Sequence, residues 1–465
     1  MSSFENCNVD IIDVTKNNIT DRAGIITFSK YIRNINAVQC LANLFSKIRK
    51  NKKGASVDSI FHQTLCNFAL GDSRSISYFD VLAKDQGYAS AIETHKSNLI
   101  SSHALKRFFK SIPKPMLILF RLVLLRLFIW RLQISKPEIL VLNLDAMVMN
   151  NNDAAKREGV EFTYKKINGY TPIQMTWGRF IIDAIFRSGS KHSNHEDDAL
   201  KMIRRMVKCI RKKYDQNVPI VFRMDSGYFD QKLFAEMERL GVGYIVGGVF
   251  YPTVKSFINS IPDTAFKPHF GKTDEDIWEY VEFKDRRDSW KKDEYRRAIF
   301  YRHLLEEKQL LLPGCRPGTS IYTNLGMGQI VDTQLEQAGF IHLTKPEAII
   351  HAYQQRGTDE LVHRSLKEFG YEQLPFQKFT PNAAVYFIML IAFFLFESFK
   401  EDVSAPVIPI GATPTTLRRK LIDIAGHFIK HSEKIILKVT ATVMRELNFK
   451  ELWERCLKAP PMTWA

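Results

Sequence analysis

No two cysteines in this sequence are spaced as C-x-x-C. The six that occur, Cys7, Cys40, Cys66, Cys209, Cys315 and Cys456, are scattered over 465 residues. That pattern suggests neither a zinc ribbon nor a disulfide framework, and it fits a reducing, cytoplasmic setting. Uninterrupted apolar runs of about 20 residues, the length needed to cross a bilayer, are also missing. Met116 to Trp130 is broken by Arg121 and Arg126, and Tyr386 to Phe396 is short. Both are expected as buried core helices, with no membrane partner. The opening MSSFENCNVD is polar and carries an acid, unlike the basic-then-apolar order of a secretory signal, so no export is expected. No internal repeat is found. Acids are the minority charge, with 50 Asp+Glu against 66 Lys+Arg and a net charge of +16. Such an excess favours a polyanion by releasing its condensed counterions, with nucleic acid ahead of an anionic membrane. A hydrophobic content of 45% is ample for folded cores in a chain about three typical domains long.

What is present divides into three regions. Residues 1–135 carry helical periodicity with basic punctuation, as in AVQCLANLFSKIRKNKK and HALKRFFKSIPKP, and are expected to form a helical DNA-binding region, the alternative being a helical domain with a solvated basic face. Ser101 or Ser102 caps a helix beginning near Ala104, and Pro113 and Pro115 end it. Residues 136–400 switch to strand signals. EILVLNLDAM, VEFTYKK and, after an Asn168-Gly169 turn, TPIQMTWG are read as a meander of three strands. A basic helix from about Asp197 to Tyr214 follows, then strand VPIVFRMD, helix FDQKLFAEMERLG and strand VGYIVGG. The order βββαβαβ is that of an α/β, ribonuclease-H-like core: a mixed sheet with helices on its faces. A β-rich insertion is expected at about 249–343, then a helical segment and the apolar helix from Ala383 to Phe399. Residues 401–465 are read as a basic helical tail, set off by SAPVIPIGATP.

Two acids end apolar strands: Asp145 after VLNL and Asp225 after VFRM. An acid closing a buried strand is costly unless paired, hydrogen-bonded or bound to metal, and both fall at one edge of the expected sheet. Asp-Ser-Gly at 225–227 also suits an ordinary turn. Tyr353, Arg356, Glu360 and Lys367 follow the spacing Y-x2-R-x3-E-x6-K. At about 3.6 residues per turn, Glu360 and Lys367 share a helix face with Arg364 between them, and Arg356 lies one turn earlier. The alternative is an i,i+4 salt-bridge ladder on a solvated helix, worth a few tenths of a kcal/mol per pair. KHSNHEDD, with His192, His195, Glu196, Asp197 and Asp198, is read as a polar loop and helix cap.

The Tyr-Arg-Glu-Lys spacing, the LDA at Asp145 and the R-x-D-S-G-[YF] element from Arg223 to Tyr228 together resemble bacterial insertion-sequence DDE transposases with the Y-R-E-K signature. The likeness is to the insertion-sequence 1380 group, with the Gln355-Arg356-Gly357-Thr358 approach to the glutamate among the telling residues. The resemblance implies that Asp145, Asp225 and Glu360 are catalytic and hold two Mg²⁺ ions, replaceable by Mn²⁺, in an endonuclease that cuts and pastes DNA. It implies that Tyr353, Arg356 and Lys367 contact DNA, and that Trp290, from the β-rich insertion, stacks on or wedges beside an extruded base. The implied partners are double-stranded DNA, as inverted-repeat ends and as target, and a second copy of the chain on DNA, in the bacterial cytoplasm at the nucleoid. Another ribonuclease-H-like nuclease, against which the Y-R-E-K spacing argues, and an inactive or domesticated DNA-binding derivative, against which the three carboxylates argue, are the alternatives.

Overall fold

The computed structural model describes residues 13, 17–48, 54–73, 75–191, 195–270, 277–286, 290, 295–303, 318–432 and 434–462. His192, Cys7 and Cys315 lie outside the described residues. The chain falls into two compact units, one joining the residues up to Lys106 with Phe399–Pro461, the other formed by Arg107–Ser398.

The first unit is built from both ends of the sequence. Strand Ile19–Thr20 pairs antiparallel with Gly426–His431, which pairs in turn with Lys434–Val439. The tail expected to be helical therefore carries a β-hairpin, in which Phe428 stands opposite Leu437 and Ile429 opposite Ile436 as cross-strand apolar pairs. Helix Phe449–Lys458 closes on helix Ile25–Asn34, where the Cys456 thiol donates to the Thr27 carbonyl at 3.3 Å. Helix Val57–Leu70 ends at Gly71, in the left-handed region at φ 71°. The Arg418 guanidinium donates to the carbonyls of Phe68 and Ala69, at 2.8 and 2.9 Å, satisfying the helix end and complementing its dipole. Gly24 is pressed against the C-terminal segment: a Cβ there would stand 1.6 Å from the Leu421 carbonyl oxygen. Backbone meets backbone at this point and neither side can yield. We expect Gly24→Ala to destabilise the protein by about 3 kcal/mol, read as a lower urea midpoint. An unchanged midpoint would show that the two segments separate freely.

The second unit begins with helix α1, Leu117–Ser135, whose Arg121 forks onto the buried carboxylate of Asp183 at 2.8 and 2.7 Å. That pair explains why a charge interrupts an apolar run. The strands are β1 Leu140–Ala146, β2 Ile173–Trp177, β3 Phe180–Ile185, β4 Ile220–Met224, β5 Gly243–Gly247, β6 Lys267–Phe270, β7 Ile277–Asp285, β8 Arg296–His303 and β9 Gly318–Thr323. They form one sheet in the order β6-β7-β8-β9-β5-β4-β1-β2-β3. β1, β4 and β5 run parallel, β2 and β3 antiparallel to their neighbours. The inserted strands extend the same sheet, since β9 pairs antiparallel with β5. Helix α2, Asp198–Lys213, connects β3 to β4, and α3, Gln231–Arg239, connects β4 to β5. Asp197 occupies the cap position of α2 with a φ of 58° and makes no side-chain capping bond, contrary to the expected polar cap.

The meander is redistributed relative to expectation. Its third strand is β3, reached through a two-residue loop in which Gly178 takes the positive φ that a tight hairpin requires. VEFTYKK does not enter the main sheet. Its Glu161–Phe162 pairs instead with Asn168–Tyr170, which also pairs with Met149–Asn150, in a small separate sheet. Asn168-Gly169 is thus strand rather than turn, and Gly169 is required because a Cβ would stand 2.0 Å from the Met149 carbonyl oxygen.

The Y-R-E-K spacing spans two helices, α4 Pro346–Gln354 and α5 Arg356–Phe369, rather than one. The apolar helix α6 runs Phe379–Phe399, longer than its apolar run, with Pro381 tolerated in the first turn. With the turn after it, Phe379–Ser404 is long and apolar enough to cross a membrane, but 83% of its apolar window is buried inside the protein. Phe387 stacks on Phe120 at 6.1 Å, Phe394 meets Phe180 at 4.7 Å and Tyr386 meets Phe186 at 5.0 Å. It is a core helix of the kind that is apolar all round.

Candidate active site

β1 and β4 are parallel neighbours whose register ends at Leu144 opposite Met224. Asp145 and Asp225 are the next residues on each, so their backbones stand about 4.8 Å apart. Each carboxylate accepts one local backbone N–H through Oδ1: Asp145 from Ala146 at 2.8 Å and Asp225 from Gly227 at 2.9 Å. Burial raises the pKa of both acids, and each also feels a like charge: Glu360 on Asp145, and Asp145 on Asp225. Arg356 opposes the rise at both. The structure therefore brings Asp145, Asp225, Arg356 and Glu360 into one electrostatic neighbourhood. Among the described residues, no three carboxylate, imidazole or thiol groups converge closely enough to share a metal ion. The donor set still suits a hard divalent cation, being carboxylate oxygens whose ionised forms the site itself disfavours.

A row of polar side chains one pleat behind the acids holds the three elements together. Thr176, Asn143 and Arg223 lie opposite one another on β2, β1 and β4. Asn143 donates to the Thr176 hydroxyl at 3.3 Å, and the buried Arg223 donates to Asn143 Oδ1 at 2.7 Å. Arg223 also reaches the carbonyl of Ala352 near the end of α4, at 2.6 Å. One guanidinium thus fastens the strands that end in Asp145 and Asp225 to the helix pair that carries Glu360. Its planar fork is what allows two acceptors in different directions.

Tyr353 packs across the end of β5, where a Cβ on Gly247 would meet its hydroxyl at 2.4 Å and the Ser226 amide at 2.9 Å. The Arg356 guanidinium stands 5.7 Å from the centre of the Tyr353 ring. Lys367 is ion-paired with Glu372 at 2.6 Å rather than with Glu360. Trp290 stands in a small apolar cluster with the inserted strands, against which Phe229 of the loop after Asp225 also packs. It is 8% exposed, packed with Ala298 and Tyr322, and the Arg296 guanidinium lies 4.7 Å from its ring centre. Residue order in a charged segment does not reveal that a neighbouring strand covers the ring.

Two neighbours of the acids were not anticipated. His363 Nδ1 lies 3.7 Å from Asp145 Oδ2, beyond hydrogen-bonding range. Burial, then Lys367, lowers its pKa to about 4, so the imidazole is neutral at physiological pH. Its position three residues after Glu360 places both on one face of α5, which the sequence could have signalled. Tyr164, from the small sheet, donates to the Ala146 carbonyl at 3.2 Å. Its phenol is pushed up to about 12 by burial and then by Asp145, Asp225 and Glu360.

A family model described as transposase DDE domain group 1 matches residues 3–461. No curated protein matches the chain. Among solved structures, the chain is similar to a piggyBac transposase determined by cryo-electron microscopy as a synaptic complex with hairpin DNA. The identity is 12% and the TM-score 0.41, over 87% of this chain and 81% of that one.

Proposed function

The chain belongs to the transposase DDE domain group 1 family, and on that premise we propose that it binds the inverted-repeat ends of an insertion sequence and cuts and joins DNA strands. DDE transposases use divalent metal ions. The single observation that carries the reading is the side-by-side placement of Asp145 and Asp225 just past the last β1–β4 pair, with Glu360 close enough to act on the first. We read β1 to β5 with α2 and α3 as a ribonuclease-H-like core, and the Y-R-E-K residues as those of the insertion-sequence 1380 group.

In this mechanism Asp145, Asp225 and Glu360 would hold two ions, Mg²⁺ or Mn²⁺. When bound, such a pair activates a water or a 3′-hydroxyl and stabilises the leaving oxygen. The chain's own groups set up the rest. Arg223 keeps the acid-bearing strands and the glutamate helices in register. Tyr353 holds Arg356 at the edge of the site, where its charge faces both aspartates and an incoming phosphate. Lys367 contributes a second cation once DNA competes with Glu372. The +16 charge supplies affinity away from the metal site and makes binding steeply salt-dependent. DNA binds two copies of the chain, each cutting one end.

The test is cleavage of the element's flanking DNA by purified protein. Cutting is expected with Mg²⁺ or Mn²⁺ and not in chelator, while Ca²⁺ supports binding without cutting. Cleavage that persists in chelator would sink the metal assignment. We also expect Arg356→Ala to slow single-turnover cutting at saturating DNA more than it weakens binding. A variant that only binds more weakly, with a smaller salt dependence, would make Arg356 a ground-state phosphate contact.

A further inference from the structure

We propose that His363 is a nitrogen ligand of the divalent ion held at Asp145, which gives the site a preference for Mn²⁺ over Mg²⁺. The inference rests on the transposase reading and deepens it by naming the cofactor.

His363 is 9% exposed, and neither of its ring nitrogens makes a hydrogen bond to another described residue. A buried polar group left without a partner is costly unless something else takes up its lone pair. Its Nδ1 faces Asp145 Oδ2 at 3.7 Å. That gap is too wide for a hydrogen bond and suits two atoms that share an ion, since ligands each about 2.1 Å from one cation stand roughly 3.0 to 4.2 Å apart. The carboxylate is already oriented for it: Oδ1 accepts from the Ala146 amide at 2.8 Å and leaves Oδ2 to the imidazole side. Binding would take the Nδ1 lone pair, with the ring proton on Nε2.

Glu360 and His363 are one turn apart on α5, the Glu-x-x-His spacing with which helices hold metal ions in bundle cores. The glutamate acts electrostatically on both Asp145 and His363, so the three groups share one neighbourhood. Glu360 is exposed, and a change of rotamer would bring it to the third position, which the described side chains leave open. Lys367 does not compete for the seat, being ion-paired with Glu372 at 2.6 Å. The donors then set the metal class. Mg²⁺ keeps to oxygen and gives up its waters reluctantly, whereas a first-row transition ion accepts imidazole. Within that series Mn²⁺ also favours carboxylates, so two acids and one imidazole match it. A ring packed beside the acids only to fill space would confer no such selectivity.

The experiment titrates the full-length protein, without DNA, with Mn²⁺ or Mg²⁺ by calorimetry and records pulsed electron paramagnetic resonance of the Mn²⁺ form. Wild type is expected to bind Mn²⁺ about tenfold more tightly than Mg²⁺ or better, and its Mn²⁺ signal to carry the coupling of a directly bound histidine nitrogen. His363→Leu keeps the ring's approximate volume. It should lose that coupling and about tenfold in Mn²⁺ affinity, while its Mg²⁺ affinity stays within about threefold of wild type. A wild-type spectrum without nitrogen coupling overturns the assignment whether or not the variant folds. So does coupling that persists in His363→Leu, which would come from another histidine, and so do equal losses for both ions, which would make His363 a positioning residue. If in any of these cases Asp145→Asn abolishes Mn²⁺ binding, the carboxylate site and the transposase reading stand. Nitrogen-coupled Mn²⁺ that depends on His363, in a protein that cuts no DNA with any divalent ion, upholds the ligand and removes the transposase reading.

Discussion

Asp145→Asn is expected to lower strand cleavage by more than about a thousandfold while raising the thermal stability of the metal-free protein. Both effects have one origin. Burial raises the pKa of Asp145 above its ordinary value, so the folded state disfavours the carboxylate form. Below the ordinary pKa both folded and unfolded chains hold the proton and no penalty exists. As pH rises, the unfolded chain ionises first, and native stability falls until the folded pKa is passed. The penalty is then constant through neutral pH. Asparagine removes it, so the variant's gain in melting temperature should be full at about pH 7 and vanish near pH 3. Asp225→Asn should behave alike, because burial is again the leading cause, with the charge of Asp145 adding to it. Glu360→Ala shares the loss of cleavage. Saturating Mg²⁺ should reverse the order by stabilising wild type alone, through binding to the folded state. Cleavage within tenfold of wild type in any one variant would remove that residue from the site. A melting temperature that drops at neutral pH would show that the carboxylate already has a partner compensating its burial.

Arg223→Met carries the second large effect. It keeps most of the side-chain volume but strands the Asn143 Oδ1 and Ala352 carbonyl acceptors that the guanidinium now serves. Leaving buried acceptors unsatisfied costs about 1–3 kcal/mol each, so a loss of about 3 kcal/mol is expected in urea unfolding. Cleavage should fall by about a hundredfold under conditions where the variant is fully folded, since misplacing a reacting group by about 1 Å suffices for that. DNA affinity should stay near that of wild type, because Arg223 is buried. Arg223→Lys should recover stability better than cleavage, since an ammonium can serve either acceptor but lacks the fork that spans both. Wild-type cleavage by a well-folded Arg223→Met would mean that the helix pair is held in place by its apolar packing alone.

The acids were legible in the sequence because each ends an apolar run: a stretch of Val, Leu, Ile and Phe that stops at Asp sets a carboxylate where burial penalises its charge unless a cation or donor faces it. Strands β1, β4 and β5 and helices α2, α3 and α6 were legible because their periodicity is strong and local. The clamp through Arg223 was not, since Asn143, Arg223 and Ala352 are far apart in sequence and only register brings them together. Asn168-Gly169 misled because its turn propensity is overridden by the close approach of Met149. Trp290 and Tyr164 show the limit from the opposite side. Both sit among lysines and arginines in the sequence, yet one ring is 8% exposed and the other 62%.

The first unit draws its two parts from opposite ends of the chain, and this has a consequence for how the protein is made. Phe28 and Tyr31 meet Phe399 at 5.7 and 5.6 Å, and strand Ile19–Thr20 waits for Gly426 and His427. At a synthesis rate of about 5–20 residues per second, the stretch from Lys106 to Phe399 takes roughly 15 seconds to a minute to leave the ribosome. For that time the nascent helices hold uncovered apolar faces, a natural target for chaperones. A chain released early would lack the other half of this unit however well its middle had folded. Assembly of this unit therefore waits for the residues beyond Phe399, and its N-terminal half cannot finish folding before they emerge.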